Sequence, residues 1–317
     1  MIPVLFVAQQ LPRLIQQMKE SAASVLYGKN LRIIAFTNHV TEETVRSDSR
    51  RLTELMETLF VNVIRSLPDG AALTLQLSQH PDPTRPNSAI YEFSLITTEN
   101  ESADRIQDLL SDPYSSEGDS IKAIQDAIDD GESNAQQALY FSKRLIEMLR
   151  GELKCIRLPE GATAVILRLP LEYIPSAVMF PHIRWYQKRA FVWDSHQRSA
   201  MATMEMLRET GMHIEWQANY DNLCSNLRAA EAEQNPCALI VVRQSELNAE
   251  PRACLAELHM MVPEIPVLVL KNQPPEPHAM PNPALTNVRY TASPLFRSEL
   301  AERLWEAVRE QEAEREY

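Results

Sequence analysis

The sequence predicts an α/β protein of two domains, the second a small doubly wound parallel sheet. Three observations carry this expectation. The chain has 317 residues, about two domains at roughly 100–200 residues each. Its 44% hydrophobic and 23% charged residues are ordinary globular composition, which excludes disorder and collagen-like architecture. From about residue 190 onward, short apolar strands alternate with amphipathic helices, the pattern of parallel strands joined by helical crossovers.

Taken in order, residues 4–27 begin with a short apolar stretch and continue as a helix, with Leu11, Ile15, Met18 and Ala22 at three- and four-residue spacing. LRIIAF (31–36) reads as a strand. A helix follows from about Ser49, with Leu52, Leu55, Met56, Leu59, Phe60 and Val63 on one broad face, and stops at the turn signal Pro68-Asp69-Gly70. ALTLQLS (72–78) and IYEFSLIT (90–97) alternate like paired strands across the proline-rich loop HPDPTRPNS. Residues 98–134 are polar and weakly periodic. From Glu92 to Glu132 there are twelve acids against two bases, a solvated face or a lid. A helix from Ala135 to Arg150 ends near Gly151, and ELKCIRL (152–158) and TAVILRLPL (163–171) are strands. YIPSAVMFPHIRWYQKR (173–189) changes character, with two prolines, several aromatics and three bases, and reads as an interdomain linker. Five strands follow (190–193, 213–217, 238–242, 266–270, 288–292), with helices over 197–210, up to 232, over 249–261 and over 296–313. The domains are therefore expected at 1–173 and 189–317, with a linker over 174–188.

Composition excludes several function classes. Only seven glycines are present and none stand closer than ten residues. A loop that wraps backbone amides around phosphate needs glycines about one to five apart, so an ordinary dinucleotide or P-loop enzyme is excluded. A formal net charge of −12 argues against a general nucleic-acid binder. Cys155, Cys224, Cys237 and Cys254 are scattered, without a CxxC pair or an adjacent histidine. They read as reduced thiols of a cytoplasmic protein, with no metal site. The start MIPVLFVAQQL has no basic n-region and a short apolar run, so neither a signal peptide nor a membrane span is expected.

The first half resembles the ATP-binding domain of sensor histidine kinases, an α/β sandwich of the GHKL superfamily, over about residues 4–172. Asp48-Ser49-Arg50-Arg51-Leu52 is similar to the family's Asp-Pro-x-Arg-Leu opening. Thr58-Leu59-Phe60-Val61-Asn62-Val63-Ile64-Arg65 is similar to its N box, and Leu110-Ser111-Asp112-Pro113-Tyr114 to its F box. Leu139–Glu147 with Gly151, then Ala162–Ala164 to Leu169–Leu171, resemble the closing helix and strands. The departures fall on the chemistry. Where the family has the adenine-binding aspartate of Asp-x-Gly-x-Gly, this chain has Thr97, and Glu99 and Glu101 replace the two glycines. The second glycine box aligns with Asn134–Leu139, where Gln136 and Ala138 stand and no glycine survives. Two carboxylates repel a triphosphate and their side chains fill its space. Asn62, at the magnesium-coordinating position, is retained, and one ligand cannot rebuild the site. None of the seven histidines sits in a helix matching the family's phosphoacceptor.

The second half resembles a response-regulator receiver domain, a flavodoxin-like fold, over about residues 188–315. That family phosphorylates an aspartate at the end of its third strand and holds magnesium with an acidic pair after its first. Here the pair is Trp193-Asp194, the phosphoacceptor position is Arg243, the threonine position is Lys271, and the lysine-proline is Ser293-Pro294. Tyr290 matches the aromatic switch position. Two cations facing one carboxylate repel Mg²⁺ and accept no phosphoryl group, and Arg243 is expected to pair with Asp194 and hold the pocket in one state.

The resemblance implies a non-catalytic regulatory or scaffold protein of two-component (phosphorelay) signalling, a pseudo-kinase joined to a pseudo-receiver. Its partner would be another signalling protein: a sensor kinase, a response regulator or a phosphotransfer protein. A homodimer is a further option, and neither nucleic acid, membrane insertion nor a cofactor is implied. The alternative is a small-molecule sensor that uses the remodelled GHKL pocket. Receivers commonly dock through their last helices and strands, here residues 271–313.

Overall fold

A computed structural model describes residues 6–98, 106, 142–143, 145–158, 161–247, 251–272 and 285–315. The chain forms two compact units, Met1–Ile34 with Glu42–Pro175, and Ala35–Thr41 with Ser176–Tyr317.

The larger sheet, most of it in the first unit, is built on strands β1 (Phe6–Gln10), β2 (Arg32–Asn38), β3 (Thr44–Asp48), β4 (Ala72–Pro81), β5 (Ser88–Thr97), β6 (Glu152–Arg157) and β7 (Thr163–Tyr173). They form one sheet in the order β1-β3-β7-β5-β4-β2, with β6 also paired to β7. β4, β5, β6 and β7 pair antiparallel, which lets one face be apolar and the other polar. The register delivers this. Leu77 faces Phe93 and Phe93 faces Leu167, while Leu75 faces Leu95 and Leu95 faces Val165, and all six are buried. On alternate positions Arg168 Nε donates to Glu92 Oε2 at 2.7 Å. Helices α1 (Leu11–Ser21), α2 (Ala23–Gly28) and α3 (Ser49–Ser66) accompany the sheet. α3 starts where Asp48 supplies a cap, its carboxylate accepting from Arg51 N at 3.2 Å. The face read from the sequence, Leu52 to Val63, is buried. β1 and β3 are additions to the sequence reading. FVAQQ and TVRSD are five residues each and carry no apolar alternation to mark them. Entry into β6 requires a glycine: a Cβ on Gly151 would stand 2.6 Å from the Arg168 carbonyl oxygen and 2.7 Å from Leu169 Cδ2.

The second unit contains β8 (Arg189–Trp193), β9 (His213–Gln217), β10 (Cys237–Arg243), β11 (Val267–Lys271) and β12 (Val288–Ala292). All neighbours are parallel, in the order β12-β11-β10-β8-β9, the flavodoxin-like order. The helices are α4 (Gln197–Arg208), α5 (Tyr220–Ala232), α6 (Pro251–Met261) and α7 (Arg297–Arg315). Both sheet faces are covered, as parallel sheets require. Val192, Val241 and Leu270 pack with Leu207 of α4 and Leu300 and Leu304 of α7. Phe191, Ile240 and Val269 pack on the other side with Leu223 and Leu227 of α5 and Leu255 and Leu258 of α6. The stretch expected as linker supplies part of this core, since Phe180 and Trp185 are buried in the first of these clusters.

Candidate functional site

The doubly wound sheet brings its strand ends together at one edge, and the strand order reverses between β8 and β10. Ligand sites of open α/β sheets lie outside the carboxyl ends of strands at such a point. Here the position holds Asp194 after β8, Arg243 at the end of β10, Lys271 at the end of β11 and Ser293 after β12. The structure thus gathers the four residues read from the sequence.

Arg243 and Asp194 are each 1% exposed, and Arg243 heads the fully buried side chains by volume. A charge this deep requires partners on every side, and the site supplies them. Arg243 Nε donates to Asp194 Oδ2 at 2.7 Å. Its Nη1 donates to Asn272 Oδ1 at 2.6 Å and to Ser293 Oγ at 3.3 Å. Its Nη2 donates to Ser199 Oγ. Four of the guanidinium's five N–H groups therefore meet an acceptor. Asp194 is consumed as well: Oδ1 accepts from His196 N at 2.9 Å, and its backbone carbonyl accepts from Trp216 Nε1 at 2.8 Å.

Two partners escaped the sequence reading. Ser199 is a fully buried residue in the first turn of α4, and Asn272 follows β11. Neither belongs to an acidic or nucleophilic pattern, so their signal is only positional: Asn272 directly follows β11, and Ser199 stands three residues beyond the cap of α4. α4 itself starts from this site. His196 is its N-cap, with Nδ1 accepting from Ser199 N at 3.2 Å. Burial pushes the His196 imidazole below its ordinary pKa, against the neighbouring Asp194 carboxylate, which acts in the opposite sense.

Lys271 does not point into the guanidinium network. Its Nζ lies 4.1 Å from the centroid of the Tyr290 ring, a cation–π contact. The residue at the aromatic switch position is thus covered by the residue at the threonine position. Electrostatically the edge holds a neutralised pair flanked by a second cation. Among the described residues, no group of three or more histidines, cysteines or carboxylates is placed to hold a metal ion.

Of the residues read from the sequence in the first unit, Asn62 and Thr97 are described. Asn62 is buried on α3, and its Nδ2 donates to the Thr58 carbonyl at 2.8 Å, along its own helix. Thr97 is buried at the end of β5, opposite Leu73 and Thr163. Glu99, Glu101, Gln136 and Ala138, with the F box, lie outside the described residues. Among the described residues no helix is long and apolar enough to cross a membrane.

No protein-family model and no curated protein matches the sequence. Among solved structures, the chain is similar to full-length ShkA, solved in complex with AMPPNP, at a TM-score of 0.56 and 12% identity. The match covers 97% of this chain and 58% of that one, so the chain spans less than two thirds of that structure's length. The catalytic domain of histidine kinase ThkA matches with a TM-score of 0.36 and 13% identity, over 52% of this chain and 97% of that one. A CheY-like response-regulator receiver domain protein from Methanospirillum hungatei matches with a TM-score of 0.33 and 17% identity, over 40% of this chain and 98% of that one. The chain carries the fold of a histidine-kinase ATP-binding domain followed by that of a response-regulator receiver.

Proposed function

We propose that this chain is a non-catalytic regulatory protein of two-component signalling, acting by binding another signalling protein. The observation that carries the reading is Arg243. It occupies the phosphoacceptor position, and its guanidinium pairs with Asp194, the acid retained where the receiver family has an acidic pair. An arginine stays protonated at any physiological pH and cannot accept a phosphoryl group. Asp194 is neutralised and buried, which removes the ligand a magnesium ion would need. The unit then has one state where a receiver has two, because the network that replaces the phosphate is built into the chain. The cation–π cover on Tyr290 acts in the same direction.

In the first unit, the replacements at Thr97, Glu99, Glu101, Gln136 and Ala138 support the loss of nucleotide binding, and Asn62 spends its amide on its own helix. The proposed partner is a sensor kinase, a response regulator or a phosphotransfer protein, met by a constitutively set surface.

The test is a titration of Mg²⁺ followed through indole fluorescence, together with calorimetry against Mg-ATP. Trp193 adjoins Asp194 and Trp216 donates to its carbonyl, so an ion bound at the strand ends would perturb both indoles. The expected outcome is no saturable Mg²⁺ response and an ATP affinity no better than millimolar. A micromolar ATP dissociation constant returns the protein to the enzymes and overturns the reading.

A further inference from the structure

The end of the second unit's sheet opposite Arg243 holds a cavity that the preceding reading does not use. It lies by the starts of β11 and β12 and the later turns of α7, with a volume of about 100 Å³. Leu239, Val267, Leu268 and Leu304 give it apolar walls, and Arg289 and Arg303 stand in the same lining. An apolar cleft with a few convergent polar groups is the usual form of a small-molecule site.

The two guanidiniums differ in how they are held. Arg289 Nη1 donates to the carbonyls of Thr286 at 2.6 Å and Val288 at 3.1 Å, which fixes it at the start of β12. Arg303 is engaged through Nη1, which meets Glu306 Oε2 at 2.7 Å. Its Nε is buried and, among the described residues, finds no acceptor. A buried donor without an acceptor is costly, and the Nε–Nη2 edge of a guanidinium is the geometry that takes a carboxylate through two parallel hydrogen bonds.

We propose that this cavity binds a small organic monocarboxylate with an apolar body. The carboxylate meets the Nε–Nη2 edge of Arg303, with Arg289 adding positive charge, and the body lies against Leu239, Leu268 and Leu304. Glu264 also lines the cavity. Its carboxylate and that of Glu306 oppose a second negative charge, which disfavours phosphates and dicarboxylates. A closed apolar cavity of about 150 Å³ holds benzene; this one, about 100 Å³ and not fully enclosed, suits a short branched chain and takes a ring only in part.

Calorimetry on the full chain with benzoate and isovalerate tests this, with benzyl alcohol as the uncharged counterpart of benzoate. Saturable binding of at least one carboxylate is expected, and none of the alcohol. Arg303→Gln should weaken the carboxylate about tenfold or more, and Arg289→Gln should weaken it in the same direction. Arg228→Gln, at an exposed position of α5, should leave it unchanged. Absence of saturable binding by both carboxylates, equal binding of benzyl alcohol, or an affinity unmoved by Arg303→Gln each overturns the proposal. The comparison of benzoate with benzyl alcohol uses the unaltered chain, so it decides even if a variant fails to fold.

Discussion

Arg243 carries more of this molecule than any other single residue. Its site is buried, and its partner Asp194 is as buried as it is. Removing one member of such a pair strands the other charge, which is worth about 3–5 kcal/mol. Arg243→Met is therefore expected to lower the unfolding free energy from urea titration by that amount, and Asp194→Asn by less, since an amide oxygen still accepts from Nε. Equal stability of Arg243→Met and the parent would mean that the network is ornamental. His196 offers a second reading at this scale. Its folded-state pKa is lowered by burial, so the unfolded chain binds the proton more readily. The stability it contributes is present above the ordinary value of 6.5 and is lost as pH falls through the lower folded value. Thermal melts should show an acid-side decline that His196→Asn weakens, because an asparagine caps α4 without titrating.

At the scale of elements, Gly151 fixes how the chain enters β6. Gly151→Ala forces a Cβ against the Arg168 carbonyl and Leu169, and a loss of about 1–3 kcal/mol is expected from overpacking. A calorimetric melt of the variant checks it, and an unchanged Tm would contradict the packing. The elements also show what a sequence reveals and where it stops. The five parallel strands of the second unit were legible because apolar runs and amphipathic helices alternate there, and HIEWQ (213–217) and VRYTA (288–292) appear with the same limits. The helix from Ser49 was legible through its apolar face. β1 and β3 were not, because pairing with a neighbour at the sheet margin makes them strands, while their own side chains carry no period. Phe180 and Trp185 looked like a hinge because proline and aromatic content marks linkers, and only packing shows that they fill a core. In the site, Asp194, Arg243, Lys271 and Ser293 were legible as positions. Ser199 and Asn272 were not, since a serine and an asparagine acquire their role only when the strand ends converge on a guanidinium. Nor could the sequence show that Lys271 turns to Tyr290 instead of joining the network.

At the scale of the whole molecule, two α/β units follow one another, and the carboxyl strand ends of the second are filled from within by an ion pair. Phosphotransfer chemistry requires an acid, a metal and an open edge, and this edge presents a paired arginine. The most direct measurement is incubation of the full chain with radiolabelled acetyl phosphate and Mg²⁺, followed by detection of acid-labile phosphate on residues 188–317. The account predicts no label on the parent chain, and none on Arg243→Asp either, because Lys271 and Ser293 still stand where the receiver's threonine and lysine act. Stoichiometric labelling of the parent would contradict the central claim that this receiver unit has exchanged phosphorylation for a permanently occupied state.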